Sequence, residues 1–211
     1  VTFATGETSQ TVTVQVRQDI LQESDEQFFV NLTQGNNLAT IASGFGVGTI
    51  TNDDAAPPVI LDLDGDGLEF LAMGDASNQA LFDFDGDGMK ETAAWVGPDD
   101  GFLVYDANGD QAVNDGSEIA FANMTAEADT DLKALQVVFD SNHDGLLTEA
   151  DEQFSRFGVW QDANGNGNTD VGEFSTLDEM GIVSLGLTSD GQSYSAANGQ
   201  VTVHGEASFT Y

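Results

Sequence analysis

The sequence predicts a mainly β chain with a few short helices, of the α+β class. Three observations carry this. Short β-rich apolar runs recur along the length, such as TVTVQV (11–16), FFVNL (28–32) and FLVYD (102–106). Helical periodicity is confined to brief stretches, of which DTDLKALQVV (130–139) is the clearest. Between the runs lie acidic turns that repeat one pattern: DLDGDG (62–67), DFDGDG (83–88), DANGD (106–110), DSNHDG (140–145) and DANGNG (162–167).

Residues 1–54 read as all-β. TVTVQV alternates strictly, FFVNL is rich in strand formers, and GVGTI (47–51) supplies a last strand. NDDAAPP (52–58) breaks the pattern with acidic and small residues and two prolines, placing a linker at 55–58. Residues 59–188 form the next domain, which opens with short strands in VILDL, ALFDF, AAWV and FLVYD. In 130–139, Leu132, Leu135 and Val138 share one helical face. A second helix is expected over EADEQFSRFGVW (149–160), with Phe154 and Phe157 on one side. STLDEMG (175–181) reads as a capped helical turn: Ser175 as N-cap, Glu179 in the first turn, Gly181 as the stop. Residues 189–211 form a C-terminal β-hairpin segment with its tight turn at Asn198-Gly199.

Composition limits the function. The 211 residues carry 37 Asp+Glu against 4 Lys+Arg, a formal net charge of −33, yet 40% are apolar, so a core is available. Phosphate recognition needs Lys and Arg, which excludes nucleic acid as a partner and disfavours anionic membrane surfaces. No run approaches the roughly 20 apolar residues of a membrane-spanning helix, so no direct membrane insertion is expected. The chain has no cysteine, which removes disulfides and thiolate metal sites. No signal peptide is visible, and residue 1 opens inside a strand-like run (VTF), as expected of an excerpt from a longer chain.

The acidic turns place like charges at alternate positions, which is unfavourable unless a cation sits between them. A hard divalent ion wants six to eight oxygens at about 2.3–2.6 Å. A short loop supplies them from positions 1, 3 and 5, a backbone carbonyl at 7, position 9 and a carboxylate at 12, with glycine at 6. In the loop at 140, Asp140, Asn142 and Asp144 hold positions 1, 3 and 5; Leu146 offers its carbonyl, Thr148 is at 9 and Asp151 closes. Leu147, at position 8, is an apolar anchor. In the loop at 162 the set is Asp162, Asn164, Asn166, the Asn168 carbonyl, Asp170 and Glu173. These two loops start 22 residues apart with one helix expected between them, and we read them as an EF-hand-like pair.

The loop at 83 offers Asp83, Asp85, Asp87, the Met89 carbonyl and Glu91, but Ala94 stands at position 12, so it is a hairpin-type variant. The loop at 62 offers Asp62, Asp64 and Asp66; Phe70 and Met73 occupy positions 9 and 12, Glu69 is expected to face outward, and a full set needs ligands from elsewhere. The loop at 106 offers Asp106, Asn108, Asp110 and the Ala112 carbonyl; Gln111 replaces the glycine, and Glu118 falls one place late. About five calcium ions are expected. Magnesium suits the loops less well because it prefers fewer protein ligands. Zinc suits the chain poorly, with no Cys and only two His. His143 reads as an exposed loop residue, His204 as a strand residue, and Trp95 and Trp160 as core.

Two resemblances rest on these stretches. GETSQTVTVQV, DILQESDEQFFVNL and GVGTITNDD resemble the C-terminal half of a Calx-beta domain, a calcium-binding β-sandwich. By position the resemblance implies Asp19, Glu23, Glu26, Asp53 and Asp54 as ligands, with Asp25 a further candidate. PVILDLDGDGLEF, FDFDGDGMKETAAWVGPDDGFLVYDANGD, NDGSE and VWQDANGNGNTDVGEFSTLDEMGIVSL resemble the calcium-dependent module of large repeats-in-toxin (RTX) proteins and adhesins of Gram-negative bacteria. This resemblance implies a secreted or cell-surface location reached by type I secretion, and neighbouring adhesin domains as partners. Some relatives are self-processing modules that cleave an Asp-Pro bond through an aspartyl anhydride, which a lysine can attack. Here the corresponding position reads Ala56-Pro57-Pro58 and the chain has no Asp-Pro bond.

The expected function is that of a non-catalytic, calcium-stabilised scaffold module of an RTX adhesin, which folds on export into calcium. One alternative is a self-processing module that lacks its scissile bond. Another is a calcium-dependent glycan- or peptide-binding module, for which exposed Trp95, Trp160 or Tyr105 would be the sign.

Overall fold

A computed structural model describes residues 5–14, 26–33, 41, 43–50 and 58–211. The chain divides into two compact units, Val1–Asp53 and Asp54–Tyr211.

In the first unit, β1 (Glu26–Asn31) pairs antiparallel with β2 (Phe45–Ile50), Phe28 opposite Gly48. Phe29, Phe45 and Val47 on this ribbon are more than half exposed. Residues 11–14, expected in a strand, lie outside any strand, with Val12 and Val14 about half exposed.

The second unit is mainly β, with one α-helix and several small sheets. Its centre is a four-stranded sheet in the order β3 (Ile60–Leu61), β6 (Gly101–Tyr105), β8 (Phe157–Trp160), β9 (Phe174–Thr176). Alternation along β6 explains why this sheet is buried on both faces. Leu103 enters one apolar cluster with Phe121, Leu135, Leu147, Phe157 and Val159. Phe102 and Val104 enter a second with Phe82, Trp95, Ile119 and Trp160. The second cluster is dense in rings: Trp95 lies 5.0 Å from Phe102 and 5.6 Å from Trp160, centroid to centroid. Both Trp are core residues, as their apolar runs predict.

Smaller sheets flank the centre. The strand β4 (Phe70–Leu71) pairs with β5 (Trp95–Val96). The strand β10 (Ser184–Gly186) lies between β7 (Leu146–Thr148) and β13 (Phe209–Thr210). β11 (Tyr194–Ala196) and β12 (Val201–Val203) form a hairpin whose turn holds Ala197, Asn198 and Gly199 at positive φ.

The helix α1 (Asp131–Val138) is N-capped by Thr130, whose side chain accepts from Lys133 N. Its buried side chains are Asp131, Ala134 and Leu135, with Leu132 packed partly against the core; Val138 is 43% exposed rather than on the buried face. The expected helix over 149–160 is replaced by a turn, a 3-10 turn at Phe154–Arg156 and strand β8. The Phe154 and Phe157 spacing fits both readings, and the β-branched Val159 beside Gly158 tips the segment into the sheet. The 175–181 segment likewise begins as strand, and its cap is Thr176: Thr176 N donates to Glu179 Oε2 at 2.9 Å and Glu179 N donates to Thr176 Oγ1 at 3.2 Å. Among the described residues, no helix is long and apolar enough to cross a membrane.

Candidate metal centres

The five acidic turns adopt one local conformation. In each, the first Asp accepts a hydrogen bond from the backbone N–H five residues on. The distances are 3.2 Å for Gly67 to Asp62, 2.9 Å for Gly88 to Asp83, 3.1 Å for Gln111 to Asp106, 2.9 Å for Gly145 to Asp140 and 2.7 Å for Gly167 to Asp162. The fourth and sixth positions are left-handed in every loop. That includes His143 at φ 61° and Gln111 at φ 59°, where a side chain is strained relative to glycine. Gln111 therefore does not break the third repeat; it adopts the turn at a cost.

Three loops bring carboxylates together within 4.8 Å: Asp62, Asp64 and Asp66; Asp83, Asp85 and Glu91; Asp106, Asp110 and Glu118. These are oxygen-only donor sets, the chemistry a hard divalent cation takes. Glu118 reaches its cluster despite its late position because a 3-10 turn at Gly116–Glu118, capped by Asp115, folds it back; its Oε2 accepts from Asn114 N at 2.9 Å. Burial, then the charges of Asp110, Asp106 and Asp115, push the Glu118 carboxyl up. Glu91 faces Phe82 across a β-bridge that closes the hairpin around loop 83, and burial raises it too. Asp87 lies outside its loop's acidic cluster; its carboxylate accepts from Met89 N at 2.7 Å.

The loop at 140 is tied across its ends. Asp151 accepts from Ser141 N at 2.8 Å and Thr148 N at 3.0 Å. Burial raises this carboxyl, but the N–H donors of Thr148 and Ser141, with the Ser141 hydroxyl, outweigh it and hold the group below its ordinary value. Asn142 Nδ2 donates to Asp144, whose other oxygen accepts from Leu146 N. Leu147 is fully buried and anchors β7 against Leu185 of β10. That pairing corrects the expected EF-hand-like partnership: the strand of loop 140 joins β10, not loop 162. No α-helix separates the two loops, which are linked by β7, a 3-10 turn and β8.

The loop at 162 is drawn together by side-chain amides. Asn164 and Asn166 donate to Asp170 at 2.8 and 2.9 Å, which lowers its carboxyl. Glu173 Oε2 accepts from Asp170 N at 2.8 Å. Its neighbours are the other loops' flanks: Gln79 N donates to Gly165 O at 3.1 Å, Val113 N to Thr169 Oγ1 at 2.8 Å, and Lys90 Nζ to Asn168 Oδ1 at 2.6 Å.

Several participants are not legible in the turn pattern. Asp100, fully buried, accepts from Leu63 N at 3.3 Å and Glu69 N at 2.9 Å, bracketing loop 62 from 31 and 37 residues away. Burial pushes the Asp100 carboxyl up. Glu69 turns toward the loop rather than outward: a hydrogen bond with Asp66, then burial, holds its carboxyl at about 7. Trp95 donates from Nε1 to Asp162 Oδ2 at 2.8 Å, and Arg156 donates to the Ala107 carbonyl at 2.9 Å. The only available signal was the acidic pair Asp99-Asp100 in a turn-rich stretch. His143 and His204 are exposed, and His204 follows β12 rather than lying in it. Asp19, Glu23, Asp25, Asp53 and Asp54 lie outside the described residues; Glu26 begins β1, opposite Ile50.

Residues 59–211 match the family described as the SPM domain. The chain belongs to that family, which agrees with the self-processing-module part of the sequence resemblance. Among curated proteins, the chain is similar to the iron-regulated protein FrpA of Neisseria meningitidis serogroup C, at 38% identity over 157 residues, or 72% of this chain. The match spans 14% of that relative's length.

Proposed function

We propose that the second unit is a calcium-stabilised, non-catalytic scaffold module of a large RTX adhesin, secreted or surface-borne in a Gram-negative bacterium. The observation that supports it most is the five-fold recurrence of one acidic turn, which in three loops gathers carboxylates within 4.8 Å of one another. These oxygens have little basic charge near them: the chain holds 4 Lys+Arg against 37 Asp+Glu. The donor set fits calcium, which when bound supplies positive charge between carboxylates that otherwise repel. Asp62, Asp64, Asp66 and Glu69 would hold one ion, Asp83, Asp85 and Glu91 a second, and Asp106, Asp110 and Glu118 a third. Asp140, Asn142, Asp144 and Asp151 would hold a fourth, and Asp162, Asn164, Asn166, Asp170 and Glu173 a fifth.

Because binding favours the folded chain, metal affinity becomes folding free energy. In a calcium-poor cytoplasm the chain stays loose for type I export; in millimolar calcium it folds. Sites with Kd of about 10⁻⁴–10⁻³ M suffice outside a cell. Residues 1–54 belong, on this reading, to a Calx-beta domain in a string of adhesin domains, and the exposed apolar ribbon β1–β2 supports a segment that packs against further chain. Metal analysis after equilibrium dialysis tests the reading: about five calcium ions per chain are expected, and fewer than two would sink it.

Family membership favours a second reading, self-processing. The substitution Ala56→Asp creates an Asp-Pro bond at the place where such modules are cut. Calcium-triggered cleavage after residue 56, seen by mass spectrometry, would establish competence for that chemistry; an intact chain supports the scaffold role. Trp95 and Trp160 are buried and Tyr105 is half-buried, so the exposed ring that would favour glycan recognition is absent at these three positions.

A further inference from the structure

Four of the five position-1 aspartates are held, among the described residues, by backbone N–H groups of their own loops alone: Asp62, Asp83, Asp106 and Asp140. Asp162 differs. Besides Asn166 N at 3.1 Å and Gly167 N at 2.7 Å, it takes the indole N–H of Trp95, from 67 residues away in sequence, at 2.8 Å. Asp162 is fully buried and Trp95 is 1% exposed, so water does not compete for this bond. The other faces of the indole are packed: Phe102 at 5.0 Å, Trp160 at 5.6 Å, Phe82 at 5.8 Å and Phe84 at 6.0 Å. The ring has one orientation available, and that orientation aims its only polar atom at the carboxylate.

We infer that Trp95 is a positioning residue for the cation site of loop 162, fixing the Asp162 carboxylate and making that site report to the aromatic core. The inference rests on the calcium reading above. A buried carboxylate held by an uncharged donor loses its rotational freedom without gaining a neutralising partner. Outer partners of this kind set metal affinity by about 10–100-fold. Phe84 gives the indole a second function. It is the second residue of loop 83, so Trp95 touches one loop through its ring and another through its N–H.

The test is a calcium titration followed by amide NMR. The Gly167 and Gly145 N–H groups, each bonded to the first Asp of its loop, report loops 162 and 140 separately. The variant Trp95→Phe keeps an aromatic ring but has no N–H. Its Gly167 midpoint should move to about 10–100-fold higher calcium while Gly145 stays put. A Gly167 midpoint unchanged from wild type would overturn the inference. If the variant does not fold, the wild-type indole resonances decide. The Trp95 N–H should shift in step with Gly167, and by more than that of Trp160, which is buried with no acceptor. A Trp95 N–H indifferent to calcium while Gly167 responds would overturn the inference and leave the calcium reading intact. Glycine amides that all ignore calcium would remove the calcium reading itself, and this inference with it.

Discussion

Loops 62 and 162 have the same turn and opposite surroundings. In both, the first Asp accepts the N–H five residues on, and positions four and six are left-handed glycines. In loop 62, residues 64–67 are all exposed, and the partners beyond the turn are Glu69 and Asp100, two more acids. In loop 162 the first Asp is fully buried, and the donors from beyond the turn are neutral or cationic: the Trp95 indole, the Val113 backbone N–H and Lys90. The turn sequence thus specifies local conformation, while the fold decides what each turn can do. Loop 162 is held together by the protein. Loop 62 gathers carboxylates with only further acids beyond the turn, and a hydrogen bond with Asp66, then burial, raises the Glu69 carboxyl to about 7.

The contrast can be tested by removing equivalent acids. The change Asp162→Ala leaves three N–H groups without their acceptor in a buried place. It should cost roughly 3–5 kcal/mol in urea denaturation without calcium, in a stabilising osmolyte that keeps the calcium-free chain folded. The same measurement on Asp64→Ala, in an exposed turn, should move stability by less than about 0.5 kcal/mol. Equal effects at the two positions would erase the distinction between the loops.

Gly116 tests the junction between loops 83 and 106. Its N–H donates to Asp83 O at 2.8 Å, and an added Cβ would fall on the Phe84 carbonyl. Backbone must shift to admit it, so Gly116→Ala should destabilise by about 2–3 kcal/mol and weaken calcium uptake at both loops. Uptake by only one loop being affected would mean the two are independent.

Asp131 serves as a buried acid outside every loop. It is 3% exposed; Oδ1 accepts from Ala122 N at 2.7 Å, and Oδ2 has no partner. Burial raises its carboxyl from 3.8 to about 7. The folded state therefore holds the proton more tightly than the unfolded chain. The associated stability is fully present below about pH 4 and is lost as pH rises from there through about 7. Asp131→Asn should leave stability near pH 4 unchanged and raise it by roughly 1–3 kcal/mol at pH 8. Parallel pH profiles for the two proteins would contradict the assignment.

A smaller effect lies at Gln111, whose φ of 59° falls at a position that is a left-handed glycine in all four other loops. Gln111→Gly should stabilise by about 0.5–1 kcal/mol in thermal melts, because the left-handed backbone no longer carries a Cβ. A loss of stability would mean the glutamine side chain contributes elsewhere.

The turns were legible because their determinants are contiguous: alternate acids or amides with glycine at a fixed offset. The central sheet was legible in part, since FLVYD reads as a strand in any context. The segment 149–160 was misread because Phe154 and Phe157, three apart, suit a helix as well as a 3-10 turn leading into a strand. Only pairing with β6 and β9 decides between them. The expected pairing of loops 140 and 162 failed for a related reason, since Leu147 found Leu185 as its cross-strand neighbour. Trp95, Asp100 and Glu69 could not be read as site residues at all. Their roles depend on contacts made across the fold, and an apolar run such as AAWV carries no sign that its indole will meet a carboxylate.

On the proposed reading the acidic loops are folding staples. The most direct test is a thermal melt by circular dichroism of the chain, first free of calcium, then at millimolar calcium, with equal magnesium as control. A molten or low-melting chain that becomes cooperative and markedly more stable in calcium, and much less so in magnesium, is the predicted result. A cooperative calcium-free transition whose midpoint does not move on adding calcium would contradict the claim and make the loops solvated turns.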